Sequence, residues 1–243
     1  MKPSASPPTV LGIDTSTRAL GVAVVRGEAV VASAERVDPH HAASDLLAPV
    51  LQEVLRTAHL SLGELGGIAV SQGPGSFTGL RVGVAFVKAL AMATGLPVIG
   101  ISSLEAMATN AVGAAAAICP LLDAKQGKVY AAFFASRGAH LIRRSPDRLT
   151  TWEAVCGRLQ TPALFLGDGI AAYGAQLRRR LGARALFAPE ELWCPRAATV
   201  ARLGGARLAR GERHHARTLV PTYLYPRDCT IQRPVRARLQ AVC

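Results

Sequence analysis

Half of the 243 residues are apolar, enough to bury a full core without disulfides or a structural metal. The five cysteines (Cys119, Cys156, Cys194, Cys229 and Cys243) are scattered and never form C-x-x-C, which argues against a disulfide framework or a zinc site and for free thiols in a reducing cytoplasm. The formal charge of +12 belongs entirely to residues 137–243, which carry nineteen basic and seven acidic side chains, whereas residues 1–136 carry nine of each. A basic half attracts polyanions through counterion release, tRNA among them, although solvated basic helix faces give the same count.

Residues 1–8 hold one Lys and no apolar stretch behind it, so they read as a short disordered lead and not as a signal peptide. Thr9 to Asp14 is an apolar run ending in an acid, a buried strand. A turn at Thr15–Arg18 leads to a strand over Ala19–Val25, and Arg26-Gly27 marks a tight hairpin into a third strand, Ala29–Glu35. The period then changes. Leu46, Leu47, Val50, Leu51, Val54 and Leu55 form one stripe of a helix over Ala43–Ala58. Gly66–Ser71 is a strand, Phe77–Thr94 a helix closed by Gly95 and Pro97, Pro97–Ser102 a strand and Ser103–Val112 a helix. No run approaches the roughly 18 apolar residues of a membrane helix; the nearest, Ala111–Leu122, is short and contains Gly113 and Pro120.

At Ile118–Asp123 the pattern starts again: an apolar run ending in Asp, a turn at Lys125–Lys128, a strand over Val129–Ala135, an Arg137-Gly138 hairpin and a strand over His140–Arg143. Trp152–Leu159, Ala163–Gly167, Ile170–Leu181 and Ala198–Ala209 follow as helix-like and strand-like pieces. The repeat predicts an α/β fold of two duplicated β-β-β-α-β-α lobes, 9–112 and 113–243, of the actin, sugar-kinase and Hsp70 kind, in which a nucleotide usually lies in the cleft; fold alone does not assign function.

The most distinctive stretch is Ser71-Gln-Gly-Pro-Gly-Ser-Phe-Thr-Gly-Leu-Arg-Val-Gly83. A Gly-rich loop entering a helix N-terminus can hold an anion, but the P-loop spacing and its Lys are absent. Gly79, Gly83, Ala85, Ala89 and Ala93 read instead as a close-packed seam with the preceding helix, either inside the chain or at a subunit interface. Asp14, Thr15 and Ser16 resemble the phosphate-binding hairpin of the actin-like fold, with Thr and Ser where a glycine usually follows the acid; a strand-end Asp satisfying turn amides is the plainer reading. Asp123 is its counterpart, and Asp168-Gly169 is a candidate remnant of an adenosine-side loop. None of the six histidines stands in H-x-x-x-H or H-E-x-x-H spacing, so no metal ligands are expected. Arg178, Arg179 and Arg180 are candidate tRNA contacts.

Five blocks together resemble one family. Val10-Leu-Gly-Ile-Asp-Thr-Ser-Thr17, Gly73-Pro-Gly-Ser-Phe-Thr-Gly-Leu-Arg-Val-Gly83, Pro97-Val-Ile-Gly-Ile-Ser-Ser-Leu104, Leu122-Asp-Ala-Lys-Gln-Gly-Lys-Val-Tyr130 and Pro221-Thr-Tyr-Leu224 are similar, in order, to the TsaB (YeaZ) family. The resemblance implies an actin-like fold without catalysis or bound cofactor of its own. It implies pairing with TsaD, a related subunit that binds ATP and metal, docking of the ATPase TsaE on that pair, and homodimers when the partner is absent. The assembly transfers a threonylcarbamoyl group to the adenosine beside the anticodon of tRNAs reading ANN codons; the alternative is an actin-like ATPase or phosphotransferase in its own right. In the family the first two helices build the subunit interface. Carried over, that assigns Leu46, Leu47, Val50, Leu51 and Val54 of the first helix to it. On the second helix it assigns Phe77, Thr78, Gly79, Arg81, Val82, Gly83 and Phe86. On this reading Gly83→Arg breaks pairing and leaves the monomer folded.

Overall fold

The structure is a computed structural model and describes residues 8–37 and 43–225. The proposed lead (apart from Pro8), His40, His41, Cys229 and Cys243 lie outside the described residues. In the first lobe β1 (Thr9–Asp14), β2 (Leu20–Arg26) and β3 (Ala29–Arg36) form the expected meander, followed by α1 (Ala43–Ala58), β4 (Gly67–Gly73), α2 (Phe77–Thr94), β5 (Val98–Ser102) and α3 (Ser103–Thr109). The sheet order is β3-β2-β1-β4-β5, with β1, β4 and β5 parallel. The second half of the chain contains β6 (Ala117–Lys125), β7 (Lys128–Ala131), β8 (Phe134–Arg137), β9 (His140–Arg143), β10 (Arg148–Thr151), α4 (Trp152–Arg158), β11 (Ala163–Leu166), α5 (Gly169–Leu181), β12 (Ala185–Phe187) and α6 (Ala197–Ala209), the last of which packs on the first sheet. Its main path, β10-β7-β6-β11-β12, repeats the order and directions of the first sheet. The duplicated, actin-like architecture is therefore present.

One part of the repeat is corrected. The predicted strand over Val129–Ala135 is broken into β7 and β8, because the Phe133 N–H donates to Ser145 Oγ at 2.9 Å and the Phe133 carbonyl accepts from Arg144 N at 2.7 Å. That capture pulls the chain off β6 for one step. The Arg137-Gly138 turn joins β8 to β9, a hairpin off the main path, and so is not the equivalent of Arg26-Gly27. The third strand of the second lobe is β10.

The α1 stripe packs inward. Leu47, Val50, Leu51 and Val54 are buried with Leu11, Ile13, Val22, Val24, Ile68 and Val70 of the sheet and Val84, Val87 and Ala91 of α2. Each such side chain contributes roughly 1.5–3 kcal/mol. On the other face of the sheet α6 lies almost on the backbone: a Cβ at Gly12 would stand 2.2 Å from the Ala197 carbonyl oxygen, and one at Gly204 2.3 Å from Ala69 Cβ. So α6, from the second half of the chain, packs on the first sheet (Val200 and Ala201 with Val10 and Ala69), while Leu104 and Met107 of α3 pack with Ile118, Leu122 and Leu166 of the second.

An ion network fastens this crossing. Glu105 of α3 accepts from Arg207 of α6 at 2.8 and 2.7 Å and from Arg143 of β9 at 3.1 Å. Arg143 also donates to Asp147 at 2.6 Å, and Asp147 accepts from Ser102 Oγ at 2.7 Å. The Glu105 side chain is 18% exposed, so removing it strands the Arg207 guanidinium in a half-buried place and leaves Arg143 with Asp147 alone. Glu105→Ala is expected to cost about 2 kcal/mol, discounted for solvent from the fully buried case. In a chain of this size that lowers the melting temperature by roughly 4–8 °C in differential scanning calorimetry.

Candidate functional site

Two features occupy the first lobe's upper edge, the cleft between the lobes and the outer face of α2, and both are built on the turn after β1. Asp14 is wholly buried at the end of that strand. Its Oδ1 accepts from Ser16 Oγ at 2.7 Å, while among the described residues neither Oδ2 nor Ser71 Oγ on the neighbouring strand makes a hydrogen bond. Burial pushes the Asp14 carboxyl up to about 6, against the lowering pull of the Ser71 and Ser16 groups.

The turn is laced to α2. Ser16 O accepts from Ser76 N at 2.7 Å, and Thr15 Oγ1 donates to Gly79 O at 2.8 Å. Ser76 caps the helix by accepting from Gly79 N at 3.2 Å. A Cβ at Gly75 would stand 2.2 Å from Ser16 O, at Gly79 2.0 Å from Thr15 O, and at Gly83 2.2 Å from Thr15 Oγ1. The four-residue glycine spacing thus exists for the Thr15–Ser16 turn. It is neither a seam with α1 nor a surface offered to another chain. Because Ser76 N and Gly79 N already have partners, these two amides are not open to an anion.

Above the turn lies a cavity of about 830 Å³ between the lobes. Ser16, Thr17, Arg18, Ser76 and Phe77 line it from one side, and Asp123, Lys125, Tyr130 and Asp168 from the other. Asp123 accepts from Lys125 Nζ at 2.6 Å, and Asp168 Oδ1 accepts from Asp123 N at 2.9 Å. Burial raises the Asp168 carboxyl, and the Asp123 partner raises the Lys125 ammonium. Two carboxylates and two cations, Arg18 and Lys125, make the lining neutral overall. No cluster of three or more His, Cys, Asp or Glu that could hold a metal occurs among the described residues.

The chain after α6 crosses the mouth. Thr222 N donates to Gln72 O at 2.7 Å on the first lobe, and Tyr225 OH donates to Ala124 O at 2.6 Å on the second. The Tyr223 ring rests against Phe77 at 5.1 Å, and the Tyr225 ring meets Tyr130 edge-on at 6.2 Å. The sequence gives no signal for this strap beyond the tyrosines.

The residues assigned to a partner interface divide. Leu47, Val50, Leu51 and Val54 belong to the chain's own core, as do Gly79 and Gly83, so none of these six can meet a partner without unfolding. Leu46, Val82 and Phe86 are half-buried against the same core. Phe77, Thr78 and Arg81 are exposed, with the Arg81 guanidinium 5.1 Å from the Phe77 ring. The exposed side of α2 continues through Ala85, Ala89, Met92 and Ala93. Phe77 is 55% and Met92 60% exposed. Sequence reasoning missed Met92; the signal was an 18-residue helix apolar on both sides. By length and composition α2 is long and apolar enough to cross a membrane, contrary to the reading of the bare sequence, but its Leu80, Val84, Val87 and Ala91 side is packed on the sheet. Arg178, Arg179 and Arg180 are exposed in the last turn of α5, with Arg178 4.9 Å from the Phe187 ring.

A family model described as TsaD, tRNA N6-adenosine threonylcarbamoyltransferase, matches residues 35–228. A Bacillus subtilis protein, tRNA threonylcarbamoyladenosine biosynthesis protein TsaB, is 30% identical over 220 residues, which are 89% of this chain and 93% of the relative. The chain belongs to the TsaB (YeaZ) family. The TsaB protein of Haemophilus influenzae is 32% identical over 76% of this chain and 82% of its own length. The solved structure of YeaZ from Pseudomonas aeruginosa superposes with a TM-score of 0.75 at 28% identity, covering 89% of this chain and all of that one.

Proposed function

We propose that this TsaB-family chain is a non-catalytic scaffold subunit in the formation of threonylcarbamoyladenosine in tRNA. It pairs in the cytoplasm with a TsaD-like subunit, which holds ATP and metal, and a TsaE-like ATPase docks on the pair. The threonylcarbamoyl group then goes to the adenosine beside the anticodon of tRNAs reading ANN codons. The chain itself binds no cofactor, and without its partner it forms a homodimer through the same face.

The observation that carries this reading is the outer side of α2. Its inner side is fully used by the core, yet Phe77, Ala85, Ala89 and Met92 face outward on a helix that also presents Arg81. A stripe of small residues between two large apolar ones suits the close approach of another helix. The half-buried Leu46, Val82 and Phe86 lie beside it.

The test is co-expression with the TsaD-like, H-x-x-x-H-bearing subunit of the same cell, followed by size-exclusion chromatography. A stoichiometric pair is expected. Phe77→Asp with Met92→Asp weakens pairing by about 100-fold, near 3 kcal/mol, and abolishes the homodimer. Both side chains are more than half exposed, so the melting temperature of the isolated variant stays within about 2 °C of wild type. Retained pairing by the folded double variant would remove α2 from the interface. A wild-type chain that stays alone beside its partner would remove the scaffold reading.

The cavity is what favours the second reading, an ATPase or phosphotransferase in its own right, with Ser16 in its wall and Asp14 and Thr15 just before it in the chain. ATP turnover by the isolated chain, lost in Asp123→Asn and Asp168→Asn, would establish it. We expect none, since the Ser76 and Gly79 amides of the loop beside the cavity are bonded within the chain.

A further inference from the structure

The carboxylates near the crossing of the lobes are spent on arginines: Glu105 and Asp147 on Arg143 and Arg207, Glu190 on Arg18, and Glu212 on Arg210. Many exposed arginines of the second lobe pair with no carboxylate among the described residues, and four of them, Arg148, Arg158, Arg180 and Arg184, are neighbours. Their places in the fold are related. Arg148 opens β10, Arg158 ends α4 ahead of β11, and Arg180 and Arg184 stand just ahead of β12. Since β10, β6, β11 and β12 run in one direction, Arg158, Arg180 and Arg184 stand at the end of the sheet where the strands begin, while Arg148 opens the edge strand level with Leu121 of β6. The cavity, with Asp123 and Asp168, is at the other end.

Contacts join them into a track. Arg148 and Arg158 line one shallow depression together with Phe133 and Ser145. Arg184 Nη1 donates to the carbonyl of Leu159, the residue after Arg158, at 3.1 Å. Burial raises the Cys156 thiol, and both Arg180 and Arg184 are near enough to pull against that rise. The path crosses from the β10 edge to the β12 edge, four strand spacings or about 19 Å.

Clustered like charges repel one another, and the nearby carboxylate, Glu153, acts on the same Cys156 thiol but forms no ion pair with these arginines among the described residues. A guanidinium fork matches phosphate oxygens in bidentate geometry, and a row of them releases condensed counterions when a phosphate chain replaces the salt. An anionic membrane would need apolar side chains to insert beside the charges. Along this track Phe133 is half-buried and Val155 and Leu159 are buried. We propose that this arginine rim binds the phosphate backbone of an RNA. The choice of RNA among polyanions rests on the proposed role in tRNA modification.

The test is fluorescence anisotropy of a labelled, unmodified tRNA transcript with the full-length chain, titrated from about 50 to about 200 mM salt. Arg158→Ala with Arg180→Ala is expected to weaken binding about tenfold and to make the salt dependence shallower by about two ions. Arg26→Ala with Arg56→Ala removes the same charge from the first lobe and is expected to change binding less than about twofold. Equal losses in both pairs would show bulk attraction and overturn the rim, as would no loss in either. Wild-type binding to phosphatidylserine vesicles that tRNA does not displace would overturn the choice of RNA. Pairing with the TsaD-like subunit is measured on the same rim variant: it is expected intact, and its failure in the wild type with the rim still binding tRNA would sink the scaffold reading alone.

Discussion

Gly79→Ala destabilises the chain by more than about 3 kcal/mol, because the added methyl group meets backbone and not a movable side chain. The new Cβ would be 2.0 Å from the Thr15 carbonyl oxygen. Thr15 cannot retreat freely, since its hydroxyl is bonded to Gly79 O and the next carbonyl to Ser76 N. Relief requires lifting the whole turn off α2 or tilting the helix away from the sheet. Differential scanning calorimetry should show a melting temperature roughly 6–12 °C lower. Gly63→Ala, where nothing lies within 4 Å, is the control and should leave stability level or slightly higher. Gly83→Arg falls in the same class as Gly79→Ala: it drives a long side chain into Thr15, so loss of the fold is expected before any loss of a partner. A Gly79→Ala protein melting within about 2 °C of wild type would show that the turn yields and that the contact is soft.

Asp14→Asn should stabilise the chain, and only at neutral and alkaline pH. The folded carboxyl titrates at about 6 against an ordinary 3.8, so the fold prefers its protonated form. Below the ordinary value the group is protonated in both folded and unfolded chains, and the fold keeps its full stability. Between the two values the unfolded chain ionises first and stability falls. Above about 6 the folded chain carries a buried charge, at a cost of about 3 kcal/mol. Asparagine removes that charge, and its amide can donate toward Ser71 Oγ, which makes no hydrogen bond among the described residues. Thermal unfolding from pH 4 to pH 8 should show the variant and wild type together at the acid end and separating by up to about 3 kcal/mol at the alkaline end. A difference that is constant across this range would mean that Asp14 does not titrate there. The same variant keeps the pairing face of α2 untouched, so pairing should be unchanged.

The periods of the sequence were sufficient for the local elements. α1 and α2 begin and end at the residues their stripes and caps indicate, and the three-strand opening follows from apolar runs broken by Gly and Asp, as does the start of its second copy, but not that copy's third strand. The resemblance of five short blocks was enough for the family. A hydrophobic period reports that some face is buried, and for α1 that face turned out to be the core, which removes Leu47, Val50, Leu51 and Val54 from any interface. For α2 the period says less, because residues on both sides are apolar and periodicity carries no information about which side meets the sheet. A run of glycines reports close approach without naming what approaches; Thr15, 64 residues before Gly79, could be found only in three dimensions. The break of the predicted strand at Phe133 depends on Ser145, and the arginine rim on three segments that packing brings side by side. Local chemistry determined which elements form, since each depends on neighbours within a few residues. Which faces stayed open, and which charges came together, depended on long-range packing and was decided by the tertiary structure alone.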